Sequence, residues 1–219
     1  MIVVKFGGSL TLEKKTMRRL VNEIAKHSAK RIIIVPGGGV FADTVRELDK
    51  AYGLPPREAH LMAILGMDQT GLLIASQSEK IRPTGSLKEI GRIFHEGKVP
   101  LILPSRILSR QKDLEFTWDV TGDSISAYLA GLLGSETLIL LKDVDGVFDA
   151  DPKRNLKAEL IDELTAGELK KLRSSCVDVR FPEYVGRYRL NAFIINGRHP
   201  ERLRALLARE KIVGTKVTP

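Results

Sequence analysis

Short apolar runs alternate along the chain with stretches whose apolar residues recur every three or four positions. The runs at 2–4, 31–35, 100–103, 137–141 and 191–195 predict β-strands. Between them, helical spacing predicts helices over 14–26, 41–52, 60–78, 123–133, 165–172, 178–188 and 200–209, several opened by Thr, Asp or Pro. Strand–helix alternation through the whole length predicts an α/β fold with a mainly parallel sheet covered on both faces, because parallel neighbours need long crossovers. The segment 105–115 is charged and lacks an apolar period, so it reads as an exposed hairpin or a mobile loop.

Composition narrows the class. A chain of 219 residues suits one or two domains, and one α/β domain, 1–219, accounts for all of it. With 43% apolar and 28% charged residues it can build a core, which excludes wholesale disorder. The net charge of +8 favours phosphate-bearing partners. Basic residues are mostly interleaved with acids, however, and the nearest thing to a patch, residues 12–31, contains Glu13 and Glu23 and no aromatic residue to stack on bases. It reads as a solvated helix face, and no nucleic-acid partner is expected. Cys176 is the only cysteine, which excludes an internal disulfide and a multi-cysteine metal site and suits a reducing cytoplasm. No apolar run approaches the roughly 20 residues of a membrane span, so no membrane partner is expected.

Candidate chemistry lies in the junctions. Gly7-Gly8-Ser9 follows the first strand, which contains Lys5, and Gly37-Gly38-Gly39 follows the second. Glycines at strand-to-helix junctions let backbone N–H groups approach an anion, and the helix start adds a favourable partial charge. One such junction is more simply a tight turn; two at one end of a parallel sheet favour a cradle for two phosphate groups. Neither is a P-loop, since G-x-x-x-x-G-K-[ST] is absent. Gly37, Gly39 and Ala42 do fit G-x-G-x-x-A, with Glu58 near the offset of a ribose-binding acid, but Glu58 precedes a helix instead of ending a strand. Farther on come Asp119-Val-Thr-Gly-Asp123 and Lys142-Asp-Val-Asp-Gly146, the latter leading to Asp151-Pro-Lys153. The acids of the latter resemble a calcium loop superficially, but the glycine comes directly after the second Asp and the closing Glu is missing. The plainer alternative to a functional role is turn chemistry for Asp143 and Asp145 and helix capping for Asp123. His60 reads as a polar residue at a helix start with a structural contact, with a mild functional appeal.

Taken in order, Lys5-Phe-Gly-Gly-Ser9, Pro36-Gly-Gly-Gly39, Asp119 to Asp123 and Lys142-Asp-Val-Asp-Gly146 with Asp151-Pro-Lys153 resemble the amino acid kinase superfamily, from the first strand to the last. The segments 59–69, 117–121, 175–178 and 195–202 most resemble its archaeal branch of methanofuran biosynthesis, whose acceptor is an aminomethylfuran methyl phosphate. The resemblance implies a three-layer α/β/α sandwich in which residues 1–120 approximately bind the acceptor and 121–219 bind ATP, accompanied by Mg²⁺. By motif, Lys5 and Asp123 would be catalytic, with Asp123 ordering the lysine. Gly7, Gly8 and Ser9 would supply backbone donors to the transferring phosphoryl group. Lys142, Asp143, Asp145, Gly146, Asp151 and Lys153 would lie on the nucleotide side, and Gly37, Gly38, Gly39 and Asp119 on the acceptor side.

There is one departure: amino-acid-phosphorylating members carry a second catalytic lysine where this chain has Arg173-Ser-Ser-Cys-Val-Asp178. Lys142, Lys153 or an arginine could supply that charge. The histidine that follows the second glycine loop in isopentenyl phosphate kinases is also replaced, by Val40-Phe41. A phosphate acceptor, already ionised at pH 7, needs alignment and charge neutralisation but no strong base. The competing expectations are a uridylate or isopentenyl phosphate kinase-like enzyme, and a non-catalytic nucleotide-binding storage or regulatory protein. Members of the superfamily are commonly oligomers, and the apolar helix near 60–78 would suit a homo-oligomer interface or simple burial.

Overall fold

The computed structural model describes residues 1–219 except Lys112, Lys153, Leu156 and Arg173. Its strands are β1 (Ile2–Phe6), β2 (Ile32–Pro36), β3 (Ile81–Thr84), β4 (Val99–Ile102), β5 (Thr137–Lys142), β6 (Glu163–Thr165), β7 (Asn191–Asn196) and β8 (Thr215–Thr218). Its α-helices are α1 (Lys14–Lys26), α2 (Gly39–Tyr52), α3 (Pro56–Ala75), α4 (Ile90–His95), α5 (Ser105–Leu108), α6 (Gly122–Leu132), α7 (Ala166–Leu172), α8 (Phe181–Tyr188) and α9 (Pro200–Leu207). The strands form one sheet in the order β3-β4-β2-β1-β5-β7-β8-β6, parallel throughout save for the β7–β8 pair.

Alternation of side chains divides the core between the two faces. Val3, Ile33 and Leu138 lie in register on one face and pack with residues of α3, α6 and α8 such as Ile64, Leu129 and Val185. Val4, Ile34 and Ile139 lie in register on the other and pack with Leu20 and Ile24 of α1 and Leu203 of α9. The result is the expected three-layer sandwich. On α1, Leu20, Val21 and Ile24 are buried while Lys14, Lys15, Arg18 and Arg19 are exposed, so the basic stretch is a solvated helix face. No helix among the described residues is long and apolar enough to cross a membrane.

Three differences from the sequence reading have local causes. The segment 105–115 is neither a hairpin nor a free loop at its start. It opens with α5, whose Ser105 N–H and hydroxyl both donate to the Asp68 carboxylate, and Ile107, Leu108 and Leu114 are buried. Three apolar side chains among many charges leave no readable period, yet they suffice to dock the segment. Helix α8 begins at Phe181 instead of 178, because the Asp178 carboxylate turns back to accept the Phe181 N–H at 3.0 Å. Thr165 ends β6 instead of opening a helix, and its N–H and hydroxyl donate to Glu168 of α7 in the manner of a capping box. The strands with no counterpart in the hydrophobic pattern, β3, β6 and β8, lie at or beside the sheet edges, where short polar strands are the rule.

Candidate active site

The C-terminal ends of β1, β2 and β5 border a cavity of about 760 Å³. β1 runs into Gly7-Gly8 and β2 into Gly37-Gly38-Gly39, and the two loops meet. A Cβ added to Gly8 would stand 2.2 Å from the Gly39 nitrogen, and Gly39 itself has φ of 55°. Glycine at 8 is therefore demanded by close approach and at 39 by backbone conformation. Thr70 of α3 fixes the second loop by donating its hydroxyl to the Gly38 carbonyl at 2.8 Å.

The donors in these loops are not all available to a ligand. The Gly7 N–H donates to the Leu141 carbonyl at 2.9 Å and the Gly37 N–H to the Phe6 carbonyl at 2.8 Å, which prolongs the sheet pairing past the strand ends. The Gly7 N–H is therefore not free for the donation expected of it, in contrast to those of Gly8 and Ser9. These two residues open a 3-10 turn, Gly8–Thr11, whose first N–H groups have no partner within the turn.

Strand parity brings the charged floor together. Lys5 pairs with Leu140 across β1 and β5, so Lys142, two residues on, projects from the same face. α6 covers that face, and its first turn places Asp123 between the two lysines. Lys142 Nζ donates to Asp123 Oδ2 at 2.7 Å, while Lys5 Nζ lies 2.9 Å from Oδ1 as an ion pair. Lys5 is 7% and Asp123 4% exposed. Burial alone would raise the Asp123 pKa, but Lys142 and Lys5 outweigh it and hold the carboxyl well below the usual range. Burial lowers Lys5 against the pull of Asp123. For Lys142 burial works in the same direction, but Asp123 prevails and raises it. Two ammonium groups thus meet on one carboxylate at the cavity floor, with the Asp178 carboxylate the next negative charge behind them, and their N–H donors suit an anionic ligand.

Asp178 supports this arrangement from behind. Its carboxylate accepts the Thr121 N–H at 2.9 Å, the Thr121 hydroxyl at 2.8 Å, the Ser124 N–H at 3.0 Å and the Ser124 hydroxyl. It thereby anchors the turn of α6 that carries Asp123, and also the start of α8. Burial and the nearby Asp123 raise its pKa. In the sequence Asp178 closes the 175–178 motif and stands at an expected helix start, but nothing local to it signals that it serves a helix more than fifty residues away. Cys176, in the cavity wall, has its thiol pushed up to about 11 by burial, so it brings no anion there at neutral pH.

α2, α3 and the segment before α6 form the opposite wall. Trp118 lines it, donates its indole N–H to Asp49 at 2.7 Å and carries the Arg46 guanidinium 4.6 Å from its ring centre. His60 lines it too, with Nδ1 3.2 Å from the Thr117 carbonyl oxygen. Asp119 does not join the wall. It is exposed, outside the cavity lining, and its carbonyl accepts the Arg180 N–H, whereas its neighbour Trp118 lines the cavity. Glu58 sits exposed in the first turn of α3 and ends no strand, which removes the dinucleotide pattern.

Beyond β5, Asp143, Gly146 and Asp151 line the cavity. Asp145 does not: it faces β7 and α9, where Oδ1 accepts from Arg202 at 2.6 Å and Asn196 at 3.0 Å. Partial burial opposes ionisation there, but these hydrogen bonds lower its pKa overall. Asp145 is a brace for the loop, and this geometry replaces the direct contact expected of it. Gly146 is held close to Thr215, whose hydroxyl accepts the Val147 N–H at 2.8 Å. Lys153 and Arg173, two candidates for a further cation, lie outside the described residues.

Residues 1–181 match the amino acid kinase family. The chain belongs to this family. It is 36% identical over 217 residues to the [5-(aminomethyl)furan-3-yl]methyl phosphate kinase of Methanocaldococcus jannaschii, covering 99% of this chain and 97% of that one. To the isopentenyl phosphate kinase of Thermoplasma acidophilum it is 26% identical, covering 99% and 100%. Among solved structures, UMP kinase from Ureaplasma parvum superposes with a TM-score of 0.80 at 20% identity, covering 100% of this chain and 98% of that one. Uridylate kinase from Archaeoglobus fulgidus gives 0.79 at 22% identity, with both chains fully covered. These two establish a shared fold. This amino acid kinase family member is a phosphotransferase, and the Lys5–Asp123–Lys142 cluster lines its cavity.

Proposed function

We propose that this kinase transfers the γ-phosphoryl group of ATP to [5-(aminomethyl)furan-3-yl]methyl phosphate, giving the diphosphate in methanofuran biosynthesis. The observation that carries this reading is the shared carboxylate: two lysines on Asp123 at the floor of a glycine-lined cavity, in a chain whose 36% identical relative spans nearly all of it. Lys5 and Lys142 neutralise charge on the transferring phosphoryl oxygens, Asp123 holds both ammonium groups in place, and Gly8 and Ser9 add backbone donors. Lys142 thereby supplies the second cation that amino-acid-phosphorylating members draw from a later segment. Of the residues lining the cavity, Gly37, Gly38 and Gly39 are assigned on this reading to the acceptor, and Asp143, Gly146 and Asp151 to the nucleotide. A phosphate monoester is largely ionised at pH 7, with a second pKa of about 6, so its oxygen attacks without a strong base.

Mg²⁺ is part of the proposal as the companion of ATP. The protein's donors do not fit a metal cage of their own: no group of three His, Cys, Asp or Glu among the described residues is placed to hold one, and Asp123 is engaged by two lysines. The ion would be carried by nucleotide oxygens and water. A cytoplasmic location, on the single cysteine, and self-association through α3, which exposes Leu65, Leu72 and Leu73, belong to the same reading.

Acceptor-dependent ADP release tests it, with the aminomethylfuran methyl phosphate, UMP, isopentenyl phosphate and acetylglutamate offered in parallel. The first should give the highest kcat/KM. A higher value for any of the others reassigns the acceptor, and ADP release with none of them would indicate a nucleotide-binding protein without turnover on these substrates.

A further inference from the structure

His60 is buried to within 4% of full enclosure on α3, beside Ile64 and Met67 in the cavity wall, with its ring edge-on to Phe116 at 5.4 Å between centres. Its Nδ1 lies 3.2 Å from the Thr117 carbonyl oxygen. A carbonyl oxygen only accepts, so Nδ1 carries the proton, and in the neutral ring Nε2 is left with a lone pair and no hydrogen. Burial favours that neutral ring by lowering the pKa, against the pull of the Thr117 carbonyl. Nε2 is buried and has no partner among the described residues. A buried acceptor of this kind asks for a donor.

An ionised phosphate cannot answer it, since its oxygens also accept. Position agrees. α3 rises about 1.5 Å per residue, which puts His60 about 9 Å along the axis from Gly66 and about 15 Å from Thr70, the α3 residues that pack on the first turn of α2 and on the glycine loop. His60 therefore addresses the end of an acceptor remote from its reacting phosphate. On the reading given under Proposed function, that end is a primary amine, an ammonium group at neutral pH with three N–H donors.

We propose that His60 Nε2 accepts a hydrogen bond from the ammonium group of the acceptor, which makes His60 the residue that selects an aminomethyl substrate and sets its orientation. No proton transfer is involved: the amine keeps its charge, and the imidazole stays neutral.

The test compares the aminomethylfuran methyl phosphate with its analogue bearing a methyl group in place of the aminomethyl group, in the wild type, His60→Ala and His60→Gln. The wild type should prefer the amine. In His60→Ala that preference, expressed as the ratio of the two kcat/KM values, should fall about 10- to 100-fold, mainly through KM. His60→Gln, whose amide oxygen can accept, should recover part of it. Equal losses on both substrates, or none, would overturn the inference and leave His60 a packing residue. Nitrogen-15 spectra of the histidine-labelled wild type give a readout independent of any variant's folding. The unprotonated Nε2 resonance should shift when the amine is added without ATP, whereas a protonated ring, or a resonance that does not move, overturns the assignment. If the wild type uses both furans equally but still turns them over, only this inference fails. If it turns over neither, the acceptor reading fails and takes the inference with it.

Discussion

At the floor of the cavity the Asp123 carboxylate meets two ammonium groups within 2.9 Å, whereas on the wall His60 Nε2 meets no partner among the described residues. Both residues are 4% exposed. The floor joins β1, β5 and α6, elements at the centre of the fold, and on the proposed reading its charges serve a group every kinase of this kind must handle, a phosphoryl in transfer. The wall joins α3 to the irregular segment before α6, and what it leaves unsatisfied is a single neutral acceptor. On the function proposed above, the electrostatic machinery for the reaction is built into the sheet, while discrimination between acceptors falls to a helix and a loop outside it.

Four substitutions would break or sharpen this contrast. Lys5→Ala should have the largest effect, lowering kcat by about 10²-fold or more while circular dichroism stays native, because its ammonium acts on developing charge. Near-wild-type turnover in the folded variant would take Lys5 out of the reaction. Since burial lowers the Lys5 pKa, the wild-type rate should also begin its alkaline decline below the ordinary lysine range. Asp123→Asn should cost a similar factor in kcat and, unlike Lys5→Ala, about 3 kcal/mol of stability, because two largely buried lysines lose their counter-charge. The folded-state pKa of Asp123 lies below its unfolded value, so its contribution is present above the unfolded carboxylate pKa and is lost as pH falls toward the folded value. Acid titration of the melting temperature should therefore show a component that Asp123→Asn lacks. A shift in melting temperature with unchanged kinetics would reduce Asp123 to a structural acid.

Lys142→Met should be milder, lowering kcat about 10-fold, since Lys5 would then hold Asp123 alone; a loss equal to that of Lys5→Ala would make the two lysines equivalent. Asp145→Asn should be smallest. Its bridge to Arg202 is partly exposed, so stability should change by less than about 1 kcal/mol and KM for ATP by only a few-fold. A larger rise in that KM would restore Asp145 to the nucleotide site.

Much of this was readable before the fold was known. The five central strands show as apolar runs because both faces of each are covered, and their burial patterns are almost unbroken. α1 reads correctly to the residue because one of its faces is buried and the other solvated. The edge strands were not legible, since a strand like Ile81–Thr84, with Arg82 exposed and a proline inside, carries no pattern of its own. Among the site residues, Lys5 and Asp123 stand in recognisable motifs. Asp145 stands in one as well, but its side chain turns toward Arg202 and away from the cavity. Asp178 and the Nε2 lone pair of His60 owe their meaning to partners 54–57 residues away in the chain.

The amino-acid sequence by itself determined the layers of this protein and the identity of its charged groups, because hydrophobic periodicity is local and a lysine at a strand end is visible as such. Which charges meet was decided by the tertiary structure. Lys5 and Lys142 share Asp123 only because β1 and β5 pair in one register, and a shift of one residue would turn either lysine to the other face. His60 has a fixed tautomer only because a carbonyl from the segment before α6 comes within 3.2 Å of its ring. Register and long-range contact are properties of the packed chain, and in this kinase they convert common residues into a site.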